Sequence, residues 1–210
     1  MNIKTLLFLV IGTFMLTAVS WGAESSPVTP APNDSVQTYA FTGTVESIKT
    51  DTSAAAIIGD RVTGTFTIDH TAVRIPMNDS HVSYRFAMGT VLVFTLNTME
   101  FGTARSGLPC MATVADNELA EGKKLDYFRI LCTDDALRSS LGVRFLAATL
   151  NLSDSSAAVF SGTGLPRDFN LKTFDNAFLA LKATKQCNKG EQCSELVFEI
   201  MMRIDSIVKK

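Results

Sequence analysis

The sequence predicts an all-β domain, an antiparallel two-sheet β-sandwich. Three observations carry this. Apolar residues recur with a period of two through much of the chain, the alternating runs are rich in Thr, Val, Ile and Phe, and turn residues separate them at short intervals. A closed up-and-down barrel enclosing a cavity is the alternative that the same pattern allows.

The first clean run opens the domain. Tyr39, Phe41, Gly43 and Val45 share one face, with Ala40, Thr42, Thr44 and Glu46 opposite. Val62, Gly64, Phe66 and Ile68 alternate with Thr63, Thr65, Thr67 and Asp69, and Val82, Tyr84 and Phe86 with Ser83 and Arg85. Near the end Phe198, Ile200, Met202 and Ile204 alternate with Glu199, Met201, Arg203 and Asp205. Such runs are half-buried strands. The first and last runs are expected to be neighbours, because both carry long alternation and charged outward positions. Val91–Leu96, Phe128–Cys132, Phe145–Leu152 and Phe178–Leu181 are apolar on both faces, which suits central strands, although period alone does not separate the latter two from short helices. Glu118–Lys124 reads as a short helix or polar loop, and Asp134-Asp135 as a turn. Gly59-Asp60, Asn78-Asp79 and Gly162-Thr163-Gly164 supply further turns. FTGTVESI at 41–48 and VTGTFTID at 62–69 resemble each other but recur at no fixed period, so they read as two similar strands.

Residues 1–23 are expected to be a secretory signal peptide. Lys4 provides the positive start, Thr5–Val19 is free of charge, and Ala18, Ser20, Gly22 and Ala23 offer small residues for cleavage after Ser20, Gly22 or Ala23. A membrane-spanning helix wants about 20 apolar residues, more than this run provides. Residues 24–35 hold three of the six prolines and no apolar period, and read as an extended leader. One domain then fills 36–210. Without the signal peptide's Lys4 the chain has 18 basic and 21 acidic residues, a net charge of −3. No basic patch suits nucleic acid. The expected location is exported, periplasmic or secreted, with no membrane span in the mature chain.

The four cysteines Cys110, Cys132, Cys187 and Cys193 read as disulfides in an exported chain. The expected pairs are Cys110–Cys132 and Cys187–Cys193, the second closing CNKGEQC at a hairpin tip between Phe178–Ala183 and Leu196–Val208. Zinc would want C-x₂₋₄-C pairs, a spacing neither pair has.

Three stretches taken together, YAFTGTVESI, IIGDRVTGTFTID and GLPRDFNLKTFDNAFLAL…ELVFEIMMRIDSIV, resemble a group of exported bacterial proteins of unknown function. Their pattern is F-x-G-x-V, then G-D-x-V-x-G-x-F-x-x-D, then a tyrosine-bearing strand where Tyr84 falls, and an L-P-x-x-[FL]-x-L-x-x-F segment ahead of the last strand. Many members end in a PEP-type C-terminal sorting tail. This sequence ends at Lys210 without one, so that sorting route is not implied here. The resemblance implies a β-sandwich and an exported location, and no activity.

Catalytic signatures are not found: no G-x-S-x-G, H-E-x-x-H, P-loop or G-x-G-x-x-G. Glu199 and Asp205 share a face but lie roughly 20 Å apart at strand rise, too far for a glycosidase-type pair at about 5–9.5 Å. Asp69, His70, Asp79 and His81 form a possible metal set if the segment DHTAVRIPMNDSH folds back on itself, with Asp60 as a further oxygen ligand; a polar loop with Asp and Asn capping turns explains the same residues. No catalytic residue and no cofactor is assigned. Fourteen Phe with the one Trp at position 21 point to core aromatics rather than a sugar platform. The expected function is a non-catalytic binding or scaffolding domain of the cell envelope, its partner an envelope protein, a glycan or a small apolar ligand. The alternatives are a carrier of a small apolar ligand, marked by an enclosed cavity lined with Phe and Leu, and an envelope hydrolase using the His70/His81 segment.

Overall fold

Alternating sequence becomes a two-sided sheet in the computed structural model, which describes residues 35–50, 56–87, 91–103, 109–120, 122–143, 145–186 and 194–210. Eleven strands form among the described residues: β1 Val36–Thr50, β2 Arg61–Asp69, β3 Val73–Asn78, β4 His81–Arg85, β5 Leu92–Leu96, β6 Met99–Gly102, β7 Met111–Ala120, β8 Lys123–Thr133, β9 Phe145–Asp154, β10 Asn176–Gln186 and β11 Ser194–Lys209. A short helix α1, Asp135–Ser140, follows β8. No helix among the described residues is long and apolar enough to cross a membrane.

All pairings are antiparallel, and the strands make one sheet in the order β3-β4-β7-β8-β9-β10-β11-β1-β2-β5-β6. The all-β antiparallel class is as the sequence predicts, and β1 and β11 are neighbours. The arrangement differs: the strands form a single continuous sheet curled into a half-barrel, where two separate sheets were expected. Four strands stand between β8 and β2 in the sheet, yet Phe128 and Phe66 meet ring to ring at 6.5 Å across the interior. Bulges help bend the strands; β1 carries two register shifts against β11, between Thr42 and Gly43 and between Val45 and Ser47.

The two similar strands owe their glycines to close approach. Gly64 lies opposite Phe41, and a Cβ there would sit 2.4 Å from the Val93 carbonyl oxygen and 2.5 Å from Phe41 Cζ. A Cβ on Gly43 would sit 2.3 Å from the Arg203 carbonyl oxygen. The interior is closed by the alternating residues of the sequence analysis: Tyr39, Phe41, Val45, Val62, Phe66, Val82, Ile200 and Met202 are all buried.

Cys110 and Cys132 form a disulfide with Cα atoms 4.6 Å apart, as predicted. They face each other across the start of β7 and the end of β8, and both are buried. Cys187 and Cys193 lie outside the described residues, while β10 and β11, the strands predicted to flank them, do pair.

Two local expectations are corrected and one is narrowed. Of the two readings of Glu118–Lys124, short helix or polar loop, the helix does not form: the segment is the tip of the β7–β8 hairpin, turned at Gly122 with φ +79°. The middle of the polar segment 69–81 is strand β3, paired with β4 at the sheet edge and exposed along nearly its whole length. Asp134-Asp135 begins a helix. One Asp134 oxygen accepts the Leu137 N–H at 3.0 Å as an N-cap, and the other accepts the Gly102 N–H at 2.9 Å, so a buried carboxylate ties the end of β6 to the corner after β8.

Candidate functional site

Between β9 and β10 run the 21 residues 155–175, whose regular structure is a 3₁₀ turn at Leu171–Thr173. Loops beyond about 12–15 residues without their own secondary structure are uncommon in compact domains and are usually functional when ordered. Here aspartates hold the backbone in place. Asp154 accepts the Ser156 and Ala158 N–H groups, each at 3.0 Å, and the Ser156 hydroxyl at 2.7 Å. These bonds, the Ala158 N–H foremost, hold its carboxyl below the usual range. Asp175 accepts the Ser155 N–H at 2.8 Å and the Ser155 hydroxyl. Fully buried Asp126 on β8 reaches across: one oxygen accepts the Val159 and Phe160 N–H groups at 2.9 and 2.8 Å, the other the Asn117 N–H at 2.8 Å in the bulge of β7. Asn117 has φ 56°, a left-handed conformation that Asn tolerates better than most residues.

The far half of the loop packs onto the interior aromatic residues of the half-barrel. The Phe169 ring meets Phe128 at 5.0 Å and, edge-on, Tyr39 at 4.9 Å and Phe66 at 5.4 Å. The Tyr39 hydroxyl donates to the Arg167 carbonyl, and the Tyr84 hydroxyl to the Thr163 carbonyl at 2.7 Å. Burial, then the Asp168 charge, pushes the Tyr39 hydroxyl up to about 12, so it remains a donor. Lys209, at the end of β11, pairs with Asp168 at 3.5 Å.

Against this pinned loop lies a concavity of about 770 Å³, within the range of roughly 300–1,000 Å³ usual for ligand sites. Phe160, Leu165 and Phe174 give it apolar walls, the two phenylalanine rings standing 6.1 Å apart, while Arg167, Asp168 and Asn170 supply polar groups. Asp154 also lines it, but its oxygens are occupied by backbone and serine donors. Neither histidine lines the concavity. The arrangement offers apolar contact beside charged and hydrogen-bonding groups, the make-up of a binding site.

The metal-set residues are split by the β3–β4 hairpin. Asp69 and His70 stand ahead of β3; Asp79 and His81 stand at its tip, with six residues of strand between. Asp69 caps its own turn, accepting the Thr71 N–H at 2.8 Å. His81 lies 3.4 Å from Glu118 and edge-on to Tyr127 at 5.9 Å. His70 Nε2 is buried without a hydrogen-bond partner, and its imidazole is held below its ordinary pKa of 6.5 by burial and then by Arg167. Asp60 accepts the Ile57 N–H at 2.8 Å and the Asn97 side-chain amide, linking two turns. Among the described residues, no group of three or more His, Cys, Asp or Glu gathers as a metal site.

Sequence reasoning passed over Asp126, Asp154, Asp175 and Phe169. Single aspartates at strand ends carry no periodic signal. Phe169 could have been found, since it is the [FL] position of the L-P-x-x-[FL]-x-L-x-x-F stretch, Leu165–Phe174, which forms much of the wall. Comparison of the chain with protein-family models, with curated proteins and with solved structures finds no match.

Proposed function

We propose that this chain is an exported, non-catalytic binding domain of the cell envelope, its half-barrel a curled form of the β-sandwich that the sequence resemblance implies. It takes its ligand in the concavity of the β9–β10 loop. The observation that carries the reading is the fixing of a long irregular loop by three aspartates around an open pocket of mixed polarity. Preorganisation of this kind lowers the entropy lost on binding. The pocket walls favour a ligand with an apolar group for Phe160 and Phe174 and a carboxylate for the planar fork of Arg167. A short peptide with a free C-terminus has both.

The apolar-carrier reading expects an enclosed cavity lined by Phe and Leu. In this structure Phe169, Tyr39, Phe66 and Phe128 fill the space between the curled wings with one another's rings. The test is a titration of the ¹⁵N-labelled chain with the dipeptides Ala-Phe and Phe-Ala. Shifts should cluster at 156–174 and vanish in Arg167→Ala. Shifts confined to other regions, or none at millimolar dipeptide, would overturn the reading, and so would cleavage of the dipeptide during the titration.

A further inference from the structure

The outward faces of β8 to β11 form a second feature, separate from the loop pocket. The register sets Leu131, Thr149, Ala180 and Met201 side by side across four strands, in the order large, small, small, large. Phe145 on β9 bounds the row at one end, and Phe178 on β10 stands beside Asn151 at the other. The result is a groove of about 450 Å³ floored by Ala147, Thr149 and Ala180. It runs along the strands. Its walls on β8 and β11 rise from strands three spacings apart, about 14 Å between their axes, which lets the side chains of one face of an α-helix, itself roughly 10–12 Å across, enter between them.

This groove is why these strands read as apolar on both faces: Phe128, Ile130, Leu146, Leu150 and Leu179 fill the interior, while Leu131 and Phe145 stay 43% and 44% exposed outside. Strands apolar on both faces are normally covered on both. The charges lining the groove are two cations, Arg129 and Lys182, and one carboxylate, Glu199, which stands opposite Lys182 in the ladder. Glu199 is held by Lys49 at 3.2 Å, and Arg203 by Glu46 at 2.9 Å and Asp205 at 3.0 Å. Arg129, held by Asn151 at 3.1 Å and by the Tyr127 ring, lines one end of the groove, and Lys182 stands exposed at the other. A second copy would bring the same cations face to face.

We propose that this groove docks an amphipathic helix of another protein, its apolar stripe between Leu131 and Met201 and its flanking carboxylates on Arg129 and Lys182. Helix-in-groove recognition has this form, with apolar anchors and a charged border.

The probe is an 18-residue amphipathic peptide with a leucine stripe and glutamates flanking it, compared with the same peptide carrying lysines. By fluorescence anisotropy the glutamate peptide should bind roughly tenfold or more tightly than the lysine peptide and weaken with added salt. Ala180→Glu should abolish binding with little change in Tm. Lys182→Glu, at an exposed position that leaves packing untouched, should remove most of the charge preference. Equal affinity for the two peptides, or shifts from the glutamate peptide falling at 156–174, would overturn the proposal. So would a dimer in sedimentation analysis that Ala180→Glu dissociates, which would assign the groove to a second copy. Loss of dipeptide binding in the loop pocket would leave these results unaffected.

Discussion

Asp126 and Phe160 stand 34 residues apart in the chain, and the Asp126 carboxylate accepts the Phe160 N–H at 2.8 Å. With the Val159 and Asn117 N–H groups it forms a three-donor knot where β7, β8 and the β9–β10 loop meet. Hydrogen bonds to a charged group contribute about 1.5–3 kcal/mol, and a buried donor left unsatisfied costs about 1–3 kcal/mol. Asp126→Ala should destabilise the chain by on the order of 3 kcal/mol. Asp126→Asn should cost less but loosen 156–164, seen as faster amide exchange of Val159 and Phe160. Unchanged exchange at both amides would refute this role.

Gly64 is occupied from two sides by the Val93 carbonyl and the Phe41 ring. The ring could shift, but the carbonyl belongs to the β2–β5 ladder and cannot move without breaking it. Gly64→Ala should therefore cost about 2–3 kcal/mol, at the upper end of ordinary overpacking. Gly162→Ala, where nothing lies within 4 Å of the added methyl, is the control and should be near neutral. Equal urea midpoints for the two variants would contradict the argument.

His70 gives the protein a pH dependence with a definite sign. Burial lowers its folded pKa most, Arg167 and Lys209 lower it further, and Asp69 opposes them. The unfolded chain therefore takes up this proton first as the pH falls, near its ordinary 6.5. Stability should be fully present above that value and decline through it until the folded form protonates too. Asp154 and Asp205, both held below 3.8, add a separate loss that begins only in the acid range. Urea midpoints at several pH values between 7.5 and 5 should fall less steeply for His70→Gln than for the parent chain. Parallel slopes would rule His70 out.

Removing the Cys110–Cys132 bridge, which spans 22 residues, should cost about 3 kcal/mol. A double serine variant measured against the parent under oxidising conditions reads this directly. Non-reducing peptide mapping should find Cys110 with Cys132 and Cys187 with Cys193. A Cys110–Cys187 peptide would overturn both pairings.

The alternation of apolar residues by itself determined the all-β class and the inward faces of β1, β2, β4 and β11. Each follows from local side-chain period, which a single strand already displays. The Cys110–Cys132 pair was legible because four cysteines allow few pairings. Tertiary structure alone decided that eleven strands close into one curled sheet, because period two says which way a side chain points and nothing about which strand lies beside it. It also decided the two places where function can reside. The pocket exists because Asp126 meets backbone donors more than thirty residues away, and the groove exists because long-range register sets Leu131, Thr149, Ala180 and Met201 in one row. Partners so distant in sequence leave no local pattern; only the folded chain brings them together.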